Sequence, residues 1–581
     1  MKEIWNQQGK ECRPEQTVDR IQEILKRMDI ETEHVFTADV MESCYSSRVT
    51  VQGEMSAVYG TNGKGITREY CMASAYAEFM ERLENRGFPY SIHACDREGL
   101  MERYKRRMFP VHNIEEDFDR EGSYASWMMD YILENSGIPN HFFNRQLVKR
   151  FLGGNYEYQD FYHVQAGSYE KVPSLFAKLF THSNGMAAGN TLEEAIVQAV
   201  SEILERVVQT RIMTEGITPP DIPADILARY PHVRKILDEI KGTGIYEVYL
   251  KDCSLGGAYP VAACFMVDKE NQTLGIRFGS HPNMGIALER TLTEAFQGRD
   301  MKQFTGSSWL SFDPQVCRNR SNLLDTKKIG NGAYPCEILG ETKSYTFTDW
   351  DYGTRYDNQE LAEIMVDILV QQGHEVYIRD NSNLGFPAVY VVAAGASEIR
   401  CCDLLYLKEM KLSRDVMKSM IELEQMTREK VNDIIRLIQI KHHALMENTI
   451  SSIYKLPFDH HFYTFNEVEF LLFVCYYYLE DYEKAEKALS ACKVLPEEVE
   501  HVKTIKKYLS ARRQGYSREK TLEILRTVCR HKLVEQVDEE LKDSTRVFTK
   551  FYPVCRDFDC ARCNVSYCRY PGVKAFERKI I

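Results

Sequence analysis

Two octapeptides in this chain share one pattern of acid and base: AYAEFMER at 75–82 and AVSEILER at 199–206. The match extends without a gap from GITREYCMASAYAEFMER (65–82) to GNTLEEAIVQAVSEILER (189–206). Gly65, Thr67, Glu69, Ala75, Glu78, Glu81 and Arg82 answer Gly189, Thr191, Glu193, Ala199, Glu202, Glu205 and Arg206. On a helix, positions i, i+4, i+7 and i+8 share a face. Ser74, Glu78, Glu81 and Arg82 therefore line one face of the first helix, and Glu194, Gln198, Glu202, Glu205 and Arg206 one face of the second. A third segment places Arg290 and Glu294 at i and i+4. Carboxylates gathered this way repel unless a cation intervenes. Hard oxygen ligands suit Mg2+, whose usual companion is a polyphosphate, and arginines on the same faces can take phosphate oxygens through charge-assisted bonds. A lone Glu-Arg pair on a helix is a solvated surface contact of small consequence. Its duplication behind two glycine-rich runs, each with an Asn-Gly pair (62–63 and 184–185), argues for a site. The G-x-x-x-x-G-K-[ST] phosphate loop is absent, so a nucleotide would have to be held differently.

Those faces need helices with defined starts. Thr67 and Thr191 stand where N-caps belong, so helices are expected over 68–82 and from 192 onward. The runs before them, GTNGKGIT and HSNGMAAGNT, read as a duplicated loop feeding a helix N-terminus. An opening helix over 17–28 places Val18, Ile21, Ile24 and Leu25 on one face. After a Pro-punctuated loop at 218–225, strands are expected at 247–254, 260–268 and 273–280, the last leading into a third helix over 284–298. Two more strands are expected at 374–380 and 387–395. Strands and helices alternate to about residue 410, which makes 1–410 an α/β (α+β) domain containing an internal repeat. From 411 to 550 the strand signals stop and an all-α accessory domain is expected. Within it, 470–493 is similar to a tetratricopeptide helical hairpin, with Ala485 and Ala488 permitting close packing and Tyr478 and Tyr482 bracketing the turn.

The formal net charge of −12 over 581 residues disfavours general nucleic-acid binding, which needs a basic surface. The N-terminus has no apolar signal core and no apolar run approaches a membrane span, so the expectation is a cytoplasmic protein. Seventeen cysteines, scattered through apolar segments, read as reduced thiols and not as a disulfide framework. The tail over 551–581 differs: Cys555, Cys560, Cys563 and Cys568 follow a C-x4-C-x2-C-x4-C spacing that would suit a Zn2+ or an Fe–S cluster, or else a metal-free Cys-rich tail.

The motifs NGKG-x-T (62–67), S-x-x-x-E-x-x-ER (74–82), SNG-x-x-AGNT-x-x-EA (183–195) and S-E-x-x-ER (201–206) resemble the hallmarks of the YcaO family of ATP-dependent, peptide-backbone-activating enzymes. IPADILARYP (222–231), SLGGAYPV (254–261) and HPNMGIALERTLTE (281–294) resemble its stand-alone branch, described as accessory factors for methylthiolation of a ribosomal protein. The resemblance runs from about residue 9 to about 400. It implies an ATP site in which Glu78, Glu202, Glu205 and Glu294 bind Mg2+, with Glu81, Asn190, Glu194, Gln198 and Arg290 bordering the nucleotide. Lys10 matches a family lysine, Thr17 stands where relatives often carry Ser, Ser74 completes the first face, and Arg82 and Arg206 match with a binding or an orienting role. The implied chemistry begins with a nucleophile adding to a backbone amide carbonyl. ATP then phosphorylates the former carbonyl oxygen, and phosphate is eliminated, giving an azoline or a thioamide. Such phosphoryl transfer needs positioning and charge neutralisation more than a protein nucleophile. The C-terminus KAFERKII lacks the Pro-rich end of azoline-forming members, which favours sulfur insertion or an accessory role. The expected partners are a peptide or protein substrate, ribosomal in the stand-alone branch, a partner protein, and a second copy in a homodimer. The alternative reading is a non-catalytic ATP-binding accessory or scaffold protein acting through its helical domain.

Overall fold

A computed structural model describes residues 9–37, 41–53, 56, 59–88, 111–135, 145–152, 155–350, 352, 355–400, 404–421, 423–442, 467–548, 576 and 579. Three sheets organise the first four hundred residues. The smallest has the order β1-β2-β3 (Thr32–Phe36, Tyr45–Val51, Gly60–Gly65) and is antiparallel throughout. A second has the order β4-β5-β13-β14-β7 (Val111–Asn113, Asn155–His163, Val376–Asp380, Ala388–Ala393, Met186–Ala188), with β6 (Ser168–Pro173) also pairing β5. The third has the order β12-β11-β10-β9-β8 (Gly332–Pro335, Ser308–Ser311, Thr273–Ser280, Val261–Asp268, Tyr246–Asp252).

Five helices position the site: α1 (Pro14–Arg27), α2 (Arg68–Glu84), α3 (Leu192–Glu215), α4 (Met284–Ala295) and α5 (Asn358–Gln371). α3 and α5 lie between the two larger sheets. Ala199, Ile203 and Val208 of α3 and Leu369 of α5 share one core with Phe265, Ile276, Val389 and Val391 from the facing strands. On the far face of the third sheet, Leu288 and Leu292 of α4 pack on Ala262, Cys264 and Met266. The layers thus run helix, sheet, helix, sheet, helix. β9 is buried on both faces, which is why its sequence is an almost unbroken apolar run. α1 and α2 cover the small sheet through Val18, Ile21, Tyr76 and Phe79.

The expected caps are present: Thr67 accepts from Tyr70 N and Thr191 from Glu194 N. The expected duplicated loop is corrected in both copies: the second run contains strand β7, Met186–Ala188, paired with β14, and TNGKG in the first lies in strand β3, Gly60–Gly65, paired with β2. Its glycines let α2 lie directly on it, because a Cβ at Gly63 would sit 2.7 Å from Ala75 N and one at Gly65 2.6 Å from Cys71 N. Gly189 repeats the arrangement below α3, 2.9 Å from Ala195 N. The duplicated unit is therefore a strand, a threonine cap and a helix that presses its alanines onto glycine.

Beyond residue 404 the described chain is helical: α6 (Leu404–Ile421), α7 (Arg428–His442), α8 (Glu467–Tyr478), α9 (Tyr482–Ala491), α10 (Val499–Arg513), α11 (Arg518–Val528) and α12 (His531–Leu541). Val431, Phe473, Ala485, Leu509, Leu522 and Val537 form one separate core there. α6 serves both parts: Leu407 is buried with the second sheet, and Val416 and Met420 with the helical array. No helix among the described residues is long and apolar enough to cross a membrane. The described cysteines are free thiols, most of them buried. Cys555, Cys560, Cys563 and Cys568 lie outside the described residues.

Candidate functional site

α1, α2, α3 and α4 converge on a cavity of about 610 Å3. Every residue singled out in the sequence for ATP or Mg2+ lines it: Lys10, Thr17, Ser74, Glu78, Glu81, Asn190, Glu194, Gln198, Glu202, Glu205, Arg206, Arg290 and Glu294, with Arg82 beside them. For α2, α3 and α4 helical periodicity explains this, each turning its apolar stripe to a core and its Glu-Arg stripe to the cavity, while Thr17 comes from α1 and Lys10 and Asn190 from the segments before helices.

At one end Glu194, 5% exposed, receives Lys10 Nζ at 2.8 Å, Asn190 Nδ2 at 3.1 Å and the Glu11 N–H at 3.3 Å. Thr17 Oγ1 donates to Asn190 Oδ1 at 2.8 Å. Burial would push the Glu194 carboxyl up, but Lys10, Asn190 and the Glu11 N–H overcome it and hold the group below its ordinary value. The segment carrying Lys10 is pinned by Asn358 Nδ2, which donates to Gly9 O at 2.9 Å.

In the middle stand the two Glu-Arg faces and Glu294. Arg82 pairs with Glu78 (3.2 Å) and Glu81 (3.3 Å), and Arg206 with Glu202 (3.8 Å) and Glu205 (3.5 Å). The cation facing Glu294 is Lys64, at 2.5 Å. Burial pushes Glu81 up to about 8 and raises Glu205 as well, against the pull of Arg82 and Arg206; neighbouring carboxylates add to it, Glu78 and Glu202 for the first, Glu294 and Glu202 for the second. Burial also raises Glu202. Glu294 goes the other way: burial opposes ionisation, but Lys64, Arg206 and Arg290 hold it low. Arg290 is itself anchored, donating to Ser280 O at 2.7 Å and to Gln198 Oε1. Among the described residues no three His, Cys, Asp or Glu side chains are already drawn together as a metal cage. Glu78, Glu81, Glu194, Glu202, Glu205 and Glu294 are instead each turned to an Arg or Lys.

The same cavity takes in residues that the repeated pattern does not contain. Lys64 falls within the NGKG run, but nothing in its spacing announces a partner on α4. Arg277, Arg299 and Lys328 add positive charge to the lining, and His281 and Glu289 complete it near the start of α4. These come from different elements as single residues, so only the fold brings them together.

Among known proteins, the chain matches the family model described as YcaO cyclodehydratase, ATP- and Mg2+-binding, over residues 62–397. It is 30% identical over 439 residues to the Escherichia coli (strain K12) protein named ribosomal protein S12 methylthiotransferase accessory factor YcaO, covering 74% of this chain and 72% of that one. It is 29% identical over 424 residues to an uncharacterized protein of Haemophilus influenzae, covering 71% and 70%. A solved heterocyclase in complex with substrate and cofactor superposes with a TM-score of 0.46 at 18% identity, over 67% of this chain and 53% of that chain. The YcaO from Methanopyrus kandleri bound with AMPPCP and Mg2+ gives a TM-score of 0.40 at 19% identity, over 68% and 93%. With a family match across more than half its length and a relative at 30% identity over most of both chains, the chain belongs to the YcaO family.

Proposed function

We propose that this cavity binds ATP with Mg2+ and that the nucleotide phosphorylates the oxygen of a peptide or protein backbone amide, in support of thiolation or methylthiolation of a ribosomal protein. The observation that carries the reading is the convergence of Glu78, Glu81, Glu202, Glu205 and Glu294, from three helices, on one cavity also lined by Lys10, Lys64, Arg82, Arg206 and Arg290. The donor set fits the metal: carboxylate oxygens from facing helices are hard ligands of the kind Mg2+ takes. Glu78, Glu202, Glu205 and Glu294 would hold it, and when bound it neutralises phosphate oxygens. The chain's own residues do the rest. Lys10, Asn190 and Thr17 brace Glu194 at the end of the cavity. Arg82 and Arg206 keep paired carboxylates aimed inward. Lys64 and Arg290 supply positive charge where phosphate charge must be met. The family description, which includes ATP and Mg2+, and the name of the E. coli relative support the same reading.

A second reading keeps the nucleotide and drops catalysis, with the helical array, which has a hydrophobic core of its own, acting as a recruiting module. Calorimetric titration of ATP with and without Mg2+, on the intact chain and on Glu202→Ala, tests the site. Mg2+-dependent binding that falls at least about tenfold in a folded Glu202→Ala is expected. Binding indifferent to both metal and Glu202 overturns the proposal. Turnover of ATP stimulated by a peptide or protein substrate then separates the enzyme from the scaffold.

A further inference from the structure

We propose that His281 is an additional nucleotide contact: a neutral imidazole whose Nε2–H donates to a phosphate oxygen. This rests on the Mg-ATP reading above and assigns a role to a buried titratable group outside the repeated motifs.

β10 ends at Ser280, and His281 follows it, two residues before Asn283, the N-cap of α4. The His281 main chain is fixed by its N–H, which donates to Pro260 O at 3.1 Å. Its Nδ1 lies 3.0 Å from the Asn283 main-chain nitrogen. A main-chain N–H can only donate, so Nδ1 accepts and carries no proton. An imidazolium, which donates from both nitrogens, is incompatible with that bond, and the neutral ring must hold its proton on Nε2. The surroundings agree: burial, then Arg290 and Lys10, push the imidazole well below its ordinary value.

The side chain is 6% exposed and lines the cavity, and Nε2 takes part in none of the described hydrogen bonds. What faces it selects the ligand. Lys10 and Arg290 line the same cavity and their charge acts on the ring, and the N-terminus of the twelve-residue α4 adds the positive end of a helix dipole. The Gly9 backbone is close enough that a Cβ there would stand 3.8 Å from His281 Cε1, so the ring packs against the segment carrying Lys10. An N–H donor in a cationic corner matches an anionic oxygen acceptor. The same tautomer excludes a general-base role, since neither ring nitrogen keeps a free lone pair.

Two substitutions separate the ring's two functions. His281→Asn places an acceptor near the Nδ1 position and removes the donor. His281→Gln places a donor near the Nε2 position and removes the acceptor that meets Asn283 N–H. Mg-ATP affinity is measured by calorimetry on the full chain, beside thermal unfolding. The expected result is an affinity loss of about tenfold for His281→Asn, the size of a hydrogen bond to a charged group, and of no more than about twofold for His281→Gln. If the unaltered chain does not bind Mg-ATP, the reading of the cavity fails first. If it binds and His281→Asn binds equally well, the cavity reading stands and the role of His281 is overturned. Equal losses in both variants would make His281 a structural brace for α4, which also overturns the proposal.

Discussion

Glu194 and Lys10 show how single side chains in this cavity are poised. Glu194 is nearly fully buried and is kept ionised by Lys10, Asn190 and the Glu11 N–H. Because its folded-state value lies below the ordinary carboxylate value of 4.5, its contribution to stability is present above about pH 4.5 and disappears as pH falls through the lowered value. Lys10→Met leaves the carboxyl buried with only neutral donors. The expected loss at neutral pH is about 2 kcal/mol, less than for a fully buried pair because Lys10 is one-third exposed. Urea unfolding at pH 7.5 and at pH 4 checks the sign: the gap between the variant and the unaltered chain must narrow in acid, where the buried Glu194 of the variant, without Lys10, takes up its proton and is no longer an uncompensated charge. A gap that stays constant with pH would mean that Lys10 acts through packing alone.

At the level of elements, the strand-cap-helix unit is the device that aims the carboxylates, and glycine under the helix is its tightest tolerance. Gly63→Ala would force the β-carbon into the Cys71 carbonyl oxygen and the backbone at Ala75, neither of which can swing aside. Lifting α2 off β3 by the roughly one ångström this clash demands is expected to destabilise the fold by about 3 kcal/mol, and to weaken Mg-ATP binding because Glu78 and Glu81 ride on that helix. Gly242→Ala, at the end of helix Pro231–Gly242 with open space around it, is the control and is expected to be neutral or slightly stabilising. Equal behaviour of the two variants would refute the tight-packing account. The same unit shows what the sequence makes legible. The repeat, the threonine caps and the face on which each Glu-Arg pair lies follow from helical spacing, and all of the residues read from those faces line one cavity. The strand Gly60–Gly65 does not follow, because glycine and lysine have little strand preference and that segment is ordered by pairing with β2 and by α2 above it. Lys64 and His281 stand inside quoted motifs and Arg277 in an expected strand, yet none of the three is marked as a cavity residue by the sequence, for a related reason. Each is brought to the cavity by contacts with distant segments, Lys64 with Glu294, Arg277 with Gly330 and His281 with the Gly9 segment, which no local spacing marks.

For the molecule as a whole, two described residues near the C-terminus, Phe576 and Lys579, reach the unit formed by α1, α2 and the small sheet. Phe576, 4% exposed, packs its ring 4.0 Å from that of Tyr59, and Lys579 Nζ reaches Asp29 at 2.9 Å. The core that receives Phe576 is the one in which Ile21 of α1, one turn beyond Thr17, meets Phe79 of α2, which is turned away from the cavity side bearing Glu78 and Glu81. The C-terminal residues therefore brace two walls of the site from outside, while α6 ties the helical array to the second sheet. Truncating a buried Phe to Ala removes about 3–5 kcal/mol of packing, and here that loss falls on the unit formed by α1, α2 and the small sheet. In Phe576→Ala, amide hydrogen exchange in α1 and α2 is expected to speed up while α10–α12, whose core is separate, keep their protection. Mg-ATP affinity should fall in step, because Thr17, Glu78 and Glu81 lose their fixed spacing. Lys579→Ala, which removes only an exposed ion pair, is expected to change little. Unchanged exchange in α1 and α2 in Phe576→Ala would show that the N-terminal unit holds its own shape, and that the C-terminal contact contributes nothing to the geometry of the cavity.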